Sequence, residues 1–316
     1  MTAQKKIPRA RERECALVTS AAGGMGRIVC RRLHRTYDVV AVDGVAFPDR
    51  PKDVDHHQLD LRRKAATQLL KKRRPDVVVH ISGVHASPSN NRRAGQKLVE
   101  ATVQLLKLVE QTQPRKLVLL SSAMLYGPSA TSASYLSEEA PLLGAGIVPE
   151  LADAISLDMM VQSFFWKRPD TETVILRPIH VVGPHLDNLA SRYLKLGRAP
   201  TMLGFDPMIQ VVHEDDVVLA LERALVPGVR GVFNVVGQSQ APLSRLLHAR
   251  GASSLPVPGP LLHAALARAA SWRLSPIDAG ELAFLRYSFL VDGDRATREL
   301  GFRPARSLTQ TLADLV

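Results

Sequence analysis

Short apolar runs alternate with amphipathic stretches along the first two-thirds of the chain. The runs CALVTS, DVVAVD, DVVVHIS, KLVLLSS and TVILRP are rich in branched residues and predict strands. Between them RIVCRRLHRTY, RKAATQLLKKRR and GQKLVEATVQLLKLVEQ predict helices. Apolar strands that alternate with helices are typical of a parallel sheet covered on both faces, so we expect a doubly wound α/β fold.

The regular alternation weakens after the segment GPHLDN, where proline and glycine become more frequent. Only a helix at HEDDVVLALERAL and a strand at GVFNVV continue it. We therefore predict a first domain over residues 14–182 and a smaller lobe over 183–316, of which 209–237 returns to the first domain. The basic residues 1–13 are expected to form a flexible tail.

Size and cysteine content narrow the class of protein. A chain of 316 residues with 46% apolar residues can bury a large core. Its longest candidate membrane segment, PLLHAALARAASW, carries His263 and Arg268 and is shorter than the roughly 20 residues that span a bilayer. Cys15 and Cys30 are the two cysteines, with no metal-ligand spacing. We expect no stable membrane insertion, no metal, and a reducing cytoplasm as the location.

The net charge of +11 raises nucleic acid, anionic membranes or acidic ligands as partners. However, the basic clusters at 31–32, 62–64 and 71–74 fall on predicted helix faces without interleaved aromatic residues. We interpret them as a solvated basic surface and expect no nucleic-acid partner.

The turn VTSAAGGMGR follows the first predicted strand and precedes a helix. Glycines in such a turn let the backbone approach a pyrophosphate that lies on the amides of the helix start. Gly23 and Gly26 keep this pattern, whereas Ser20 stands where the first glycine is usual. The second strand ends in Asp43, whose carboxylate can accept ribose hydroxyls and would repel a 2′-phosphate. The turn therefore predicts NAD(H) rather than NADP(H) as cofactor.

Further segments resemble, in order, the extended short-chain dehydrogenase/reductases of the NAD-dependent epimerase/dehydratase branch. These segments are TSAAGGMG, QLDLRR, HISG, LLSSAMLYG, LRPIHVVGP, VVHEDDV and ELGFRP. The resemblance implies a Rossmann-type doubly wound parallel sheet with a smaller C-terminal substrate-binding lobe. It also implies an oxidoreductase that uses NAD(H), and it suggests a homodimer formed through helices beside the fourth and fifth strands.

Site residues are carried over from the matching motifs. The implied cofactor-binding residues are Ser20, Gly23, Gly24, Met25, Gly26, Asp43, Asp60, Leu61, Ser82, Gly83, Pro178 and His180. Asp60 and Leu61 would flank the adenine, and Ser122 matches the family's catalytic serine. Candidate substrate contacts are His85, Met124 and Tyr126.

The chain departs from the family at its proton-transfer pair. In the family a tyrosine transfers the proton and a lysine four residues later lowers its pKa, but none of the five tyrosines here has that lysine. Aligning Asp158 with the acidic residue that follows the family's lysine puts Glu150 at the tyrosine and Ala154 at the lysine. A second register would put Asp153 and Leu157 there.

Glu150 therefore has two interpretations. A carboxyl near the nicotinamide would have its pKa raised by desolvation and could serve as general acid. Alternatively, Glu150 only places a negative charge in the first turn of a helix, and the substrate supplies its own proton. A positioned acid is typically worth about 10²–10⁴-fold in rate, so either route is compatible with an enzyme.

The substrate motifs also depart from those of nucleotide-sugar enzymes. His180 and Ile209 stand where that branch has an asparagine and an arginine for the ligand's phosphates. The segments AMLYG, LDMMVQSFFW and GFDPMIQ offer methionine and aromatic side chains instead. We expect an apolar or aromatic small molecule as substrate. The alternative hypothesis is a catalytically silent NAD-binding sensor or scaffold.

Overall fold

The structure is a computed structural model that describes residues 13–82, 92–130, 135–271 and 279–315. The predicted residues Gly83 and His85 lie outside these ranges. Its strands are β1 (Cys15–Thr19), β2 (Asp38–Asp43), β3 (Asp55–Gln58), β4 (Val77–Ile81), β5 (Lys116–Leu120), β6 (Glu172–Pro178), β7 (His180–Val182), β8 (Arg198–Met202), β9 (Met208–His213), β10 (Gly231–Val235), β11 (Gln240–Pro242) and β12 (Ser253–Val257).

The α-helices follow the same chain order. They are α1 (Gly24–Leu33), α2 (Lys64–Arg73), α3 (Arg92–Thr112), α4 (Ala152–Lys167), α5 (Leu189–Leu194), α6 (Glu214–Ala224), α7 (Leu243–Ala249), α8 (Gly259–Ser271), α9 (Asp294–Arg298) and α10 (Leu308–Ala313). Short 3₁₀ turns occur at Ala123–Tyr126, Gly144–Gly146, Pro149–Leu151 and Ala279–Leu285. No helix in the described ranges has the length and apolar character needed to cross a membrane.

A parallel sheet of seven strands organises the first domain within the described ranges. Its order is β10-β6-β5-β4-β1-β2-β3, and each neighbouring pair runs parallel. The chain adds strands outward from β1 in one direction and then from β4 in the other. In such doubly wound sheets ligands bind outside the carboxyl ends of the strands, at the point where the order reverses.

Both faces of this sheet are covered, as the apolar runs predict. Alternate residues of β1 point to opposite sides: Ala16 and Val18 belong to one apolar core with Val29 of α1, while Leu17 belongs to a second core with Leu105 of α3. A strand with two buried faces favours consecutive apolar residues, which is the pattern of ALV at positions 16–18. The predicted α/β fold with a doubly wound parallel sheet is confirmed.

A smaller lobe follows β6. It contains the sheet β11-β9-β7, the pair β12-β8, and a core of its own that includes Tyr193, Ile209 and Leu246. The chain then returns: α6 packs against α1, and β10 extends the large sheet beside β6. Strand β9 contributes to both cores: Val211 belongs to the core of the smaller lobe and Val212 to a core of the large sheet.

Candidate active site

The turn after β1 has the tight geometry that its glycines predict. Ser20 has φ of 53°, a left-handed conformation that favours glycine, and its Oγ donates to the carbonyl oxygen of Ile81 at 3.1 Å. A Cβ on Gly26 would overlap the same serine's carbonyl oxygen and the backbone of Ala21. Ser20 therefore adopts the conformation of the glycine it replaces, and a side-chain hydrogen bond to β4 accompanies it.

Asp43 is tied to this turn. Its Oδ2 accepts from the backbone N–H of Ala22 at 2.9 Å, and its Oδ1 accepts from the N–H of Val45 at 3.1 Å. A carboxylate has about four acceptor positions, so two remain for ribose hydroxyls. Helix α1 begins at Gly24 with no acidic residue in its first turn, which leaves a positive helix end for a pyrophosphate.

The turn after β3 carries the predicted adenine contacts. Asp60 accepts from the backbone N–H of Arg62 at 2.9 Å and from its guanidinium. The hydrogen bond from this guanidinium is the main cause that lowers the pKa of Asp60, which keeps the carboxylate ionised. Leu61 and, in the glycine-rich turn, Met25 are buried, so both support the turns from the core side.

Ser82 follows β4 and has an unsatisfied hydroxyl. Its Oγ is buried and has no hydrogen-bond partner among the residues that the structure describes. Its N–H bonds the carbonyl oxygen of Leu120 at 3.1 Å, which fixes it beside the end of β5. A buried polar atom without a partner is costly, and a bound polar group would satisfy it. Ser82 fits the predicted contact with the cofactor.

His80, two residues before Ser82, is held inside the sheet. Its Nδ1 lies 2.7 Å from Thr19 Oγ1, and its Nε2 lies 2.8 Å from Thr102 Oγ1. Burial lowers the pKa of His80 to about 4, so the ring is neutral near pH 7. The imidazole acts as a neutral link between β1, β4 and α3.

Ser122, which the family motif predicts as the catalytic serine, lies at the carboxyl end of β5. It caps the turn Ala123–Tyr126: its buried Oγ accepts from the N–H of Met124 at 3.1 Å. The hydroxyl hydrogen remains available for a substrate oxygen. The preceding Ser121 points elsewhere and donates to Asp158 at 2.5 Å.

Asp158 relates α4 to the family's motif. It is fully buried and binds Arg177 through both carboxylate oxygens. Two turns earlier, Glu150 is exposed in the 3₁₀ turn Pro149–Leu151, immediately before α4 begins. Ala154, between them, is buried and carries no polar group. The burial of Asp158 is compatible with the register that assigns Glu150 and Ala154 to the tyrosine and lysine positions.

Tyr126 lies in the core, which differs from its expected role as a substrate contact. Its hydroxyl donates to Asn234 Oδ1 at 2.8 Å and accepts from Arg177 Nη1 at 2.9 Å. Burial raises its pKa, so the phenol stays protonated. Both roles of the hydroxyl are used by the protein, and we assign Tyr126 to the core network. Met124 is half-buried against the same core.

A contact between α3 and α4 was not foreseen from the sequence. The half-buried carboxylate of Asp153 occupies the space where a Cβ on Gly95 would lie. The two helices can approach this closely because Gly95 has no side chain. Sequence spacing gives no signal of such a contact, since 58 residues separate the two positions.

The smaller lobe contains a cavity beside β7. Its volume of about 50 Å³ is several times the roughly 10–15 Å³ that one water molecule needs, and it is partly open to solvent. It is lined by His180, Leu189, Ala190, Tyr193, Leu194, Ile209, Val211, Leu243, Leu246, Phe284 and Leu285. Apart from His180 and the tyrosine hydroxyl, this lining is apolar.

Only part of the predicted pocket contributes to this cavity. GFDPMIQ supplies Ile209. By contrast, LDMMVQSFFW forms α4, where Met159 is 58% and Trp166 78% exposed on the outer face. The periodicity of a helix places consecutive methionine and aromatic residues on different faces, so their density did not identify the lining. Tyr193 and Phe284 were missed because their segments carry no motif.

The carboxyl ends of β1, β2, β4, β5 and β6 thus carry the glycine-rich turn, Asp43, Ser82, Ser122 and Pro178 along one edge of the sheet. This arrangement defines a Rossmann-type dinucleotide-binding protein. Comparison with known proteins then specifies the class. Residues 16–235 match the NAD dependent epimerase/dehydratase family, and the chain belongs to that family. It is an oxidoreductase of the short-chain dehydrogenase/reductase type with NAD(H) as cofactor.

The individual relatives share low sequence identity with this chain. An uncharacterized protein of Mycobacterium tuberculosis is 27% identical over 308 residues, which cover 94% of this chain and 82% of the relative. A UDP-glucose 4-epimerase of Dictyostelium discoideum is 24% identical over 188 residues, 55% of this chain and 54% of the relative. Among solved structures, the UDP-glucuronic acid 4-epimerase of Bacillus cereus with UDP-glucuronic acid and NAD has a TM-score of 0.72 at 20% identity, covering 95% of this chain and 97% of that one. This likeness shows the fold.

Proposed function

We propose that this protein is an NAD(H)-dependent oxidoreductase that acts on an apolar or aromatic small molecule. The observation that carries the proposal is the apolar cavity beside β7. His180, which lines it, follows Pro178 by two residues, and Pro178 ends β6 at the same edge of the sheet as the glycine-rich turn. A substrate held there would lie close to the carboxyl end of β6, at the edge of the sheet where the cofactor would bind.

The lining argues against a nucleotide sugar. Several related structures contain UDP-sugars, whose diphosphate carries negative charge that proteins bind with arginine, lysine or oriented amides. Ile209 lines the cavity at the position where the sequence motif of such enzymes has an arginine, and no lysine or arginine is among the lining residues in the described ranges. Apolar lining suits a hydrophobic ligand instead.

Proton transfer in this proposal does not use a tyrosine-lysine pair. NAD(H) supplies or takes up the hydride when bound. Ser122 orients the substrate oxygen through its free hydroxyl hydrogen, and either Glu150 or a hydroxyl of the substrate itself provides the proton. The exposure of Glu150 favours the second route, because a general acid has to lie within hydrogen-bond reach of the reacting atoms inside the site.

We also propose that the protein forms a homodimer in the cytoplasm. Helices α3 and α4 pack side by side and expose Val103, Met159 and Trp166. Large apolar side chains on an outer helix face favour a protein partner. The two free thiols, Cys15 and Cys30, suit a reducing compartment.

The direct test is NADH oxidation with a panel of aromatic ketones, quinones and nucleotide sugars. We expect turnover within the first two groups and none with nucleotide sugars. Tight NADH binding without oxidation of any member would refute the proposal and favour the silent sensor. Turnover of a nucleotide sugar alone would refute the substrate class.

The proton route is tested on the substrate found in that panel. If Glu150 is the acid, Glu150→Gln lowers kcat by about 10²-fold or more, whereas a substrate-supplied proton leaves kcat within about twofold. Glu139→Gln removes another exposed carboxylate and is the matched control.

A further inference from the structure

We infer that His180 is a specificity-determining residue whose Nε2 hydrogen-bonds a single hydroxyl or carbonyl on the ring of an otherwise apolar ligand. This inference rests on the proposed function and narrows its substrate class to phenol-like or aryl-carbonyl compounds. The lining of the cavity is apolar except at two side chains, His180 and Tyr193.

The hydroxyl of Tyr193 is already committed. It donates to the carbonyl oxygen of Pro200 at 2.9 Å, inside the same lobe. Burial raises its pKa, so it remains a neutral phenol. A ligand in the cavity can use the ring of Tyr193 as an apolar wall, but its hydroxyl hydrogen is taken.

The imidazole of His180 is in the opposite situation. Its Nε2 is buried and has no hydrogen-bond partner in the described part of the chain. Buried polar atoms in folded proteins nearly always have a partner, so an orphaned one beside a cavity indicates a missing ligand or water. The cavity exceeds the space that one water molecule needs and is partly open to solvent.

The ring is also held in place. Phe284 and Phe289 contact it edge to face, with ring centroids at 5.7 and 6.0 Å, and they contact each other at 5.4 Å. A fixed ring presents Nε2 in one direction without losing rotamer entropy when a ligand binds. Such preorganisation distinguishes a binding group from a histidine that merely fills space.

The charge state of His180 determines which ligand groups it can bind. Burial lowers the pKa of His180 to about 4, so the imidazole is neutral near pH 7. A neutral ring nitrogen accepts from a hydroxyl or, in the other tautomer, donates to a carbonyl. It does not attract a phosphate or a carboxylate as a cation would. Apart from Tyr193, the remaining lining residues give the rest of the ligand apolar contact only.

The experiment compares phenol with toluene, which differ by one hydroxyl. Their dissociation constants are measured by NMR titration in the presence of NADH for the wild type, His180→Phe and His180→Asn. We expect His180→Phe to weaken phenol relative to toluene by about tenfold, because the hydroxyl would be buried without a partner. His180→Asn restores a polar group and should recover part of this ratio. Tyr193→Phe should shift both affinities together and keep the ratio.

The outcomes separate this inference from the proposed function. A phenol-to-toluene ratio that stays within twofold in His180→Phe overturns the inference, and so does a wild type that binds neither compound. If His180→Phe does not fold, His180→Leu takes its place, and a ratio within twofold of the wild-type ratio in that apolar variant also contradicts the inference. If the ratio changes as expected while NADH is never oxidised in the substrate panel, the inference stands and the proposed function fails.

Discussion

Asp158 of α4 and Arg177 of β6 form a buried, bidentate ion pair. Arg177 Nη2 donates to Asp158 Oδ1 at 2.7 Å and Nε donates to Oδ2 at 3.1 Å. Burial opposes the charge on Arg177, but the hydrogen bonds and charge of Asp158 outweigh it and raise the pKa of the guanidinium. Ser121 and Tyr126 complete the network, which sets the position of α4 relative to the strand that carries Ser122.

Replacing Asp158 should be strongly destabilising. Asp158→Asn leaves a buried guanidinium without its counter-charge, for which we expect a loss of about 3–5 kcal/mol in the free energy of unfolding. Urea denaturation followed by circular dichroism measures it. Glu110→Gln, which breaks the exposed pair with Arg168, should cost less than about 1 kcal/mol. Similar losses in both variants would contradict the role of the buried pair.

The stability of the turn after β1 should depend on the hydroxyl of Ser20. Ser20→Ala keeps the left-handed conformation and loses the hydrogen bond to Ile81, so we expect a loss of about 0.5–1.5 kcal/mol. Ser20→Gly loses the same bond but removes the conformational strain, so it should cost less than Ser20→Ala. Thermal and urea unfolding of the two variants give the comparison. Greater damage from glycine than from alanine would exclude strain at this position.

Asp43 should determine the choice between NADH and NADPH. Asp43→Asn removes the charge that accepts ribose hydroxyls and repels a 2′-phosphate, so NADH should bind about tenfold or more weakly while NADPH binding improves relative to it. Fluorescence titration with each nucleotide measures the ratio. Asp38→Asn, at the exposed start of the same strand, is the matched control. An unchanged ratio in Asp43→Asn would place the ribose elsewhere.

The strands of the large sheet could be predicted from the sequence where burial on both faces requires apolar residues. The runs that became β1, β2, β4, β5 and β6 are apolar because they are covered by helices on both faces. Strand β3 was missed because DHHQ pairs only with β2 and is half-buried rather than buried on both faces, which removes the need for apolar residues. The backbone hydrogen bonds that hold β3 beside β2 leave no compositional signal.

The candidate site was predicted as far as it is local in sequence. The cofactor turn and Asp43 follow from motif and spacing because backbone geometry there demands particular residues. The cavity draws its lining from β7, β9, α5, α7 and the turn Ala279–Leu285, so no single segment could reveal it. Tyr126 was placed on the substrate because its motif is adjacent to Ser122, but the bond to Asn234, 108 residues away, decides its orientation.

Gly95 and Asp153 should be energetically coupled. A methyl group on Gly95 would overlap the Asp153 carboxylate. Gly95→Ala should therefore lower the free energy of unfolding by about 1–3 kcal/mol through overpacking, although alanine favours a helix more than glycine does. In the background of Asp153→Ala the same change should cost less, since the carboxylate is gone and only the Cβ of residue 153, at 3.1 Å, still approaches the added methyl group. A double-mutant cycle by urea unfolding measures the coupling. Additive effects of the two changes would mean that the carboxylate does not occupy that space.

Acid should destabilise the protein through its buried histidines. Burial lowers the pKa of His80 and of His180 to about 4, whereas an unfolded histidine has a pKa of about 6.5. The unfolded chain therefore binds more protons between these values, and the stability that each neutral ring contributes above about pH 6.5 is lost as the pH falls toward 4. From pH 7 to pH 5 the loss should be about 2 kcal/mol for each ring.

His80→Gln isolates one of these two contributions. The variant is expected to be less stable at pH 7, because the bonds to Thr19 and Thr102 are altered, but its stability should fall by about 2 kcal/mol less than that of the wild type between pH 7 and pH 5. His248→Gln removes an exposed ring and should retain the full pH dependence. Urea titrations at both pH values measure all three proteins. Parallel pH profiles for the wild type and His80→Gln would show that His80 is protonated equally well in the folded protein, which its burial between two threonines does not allow.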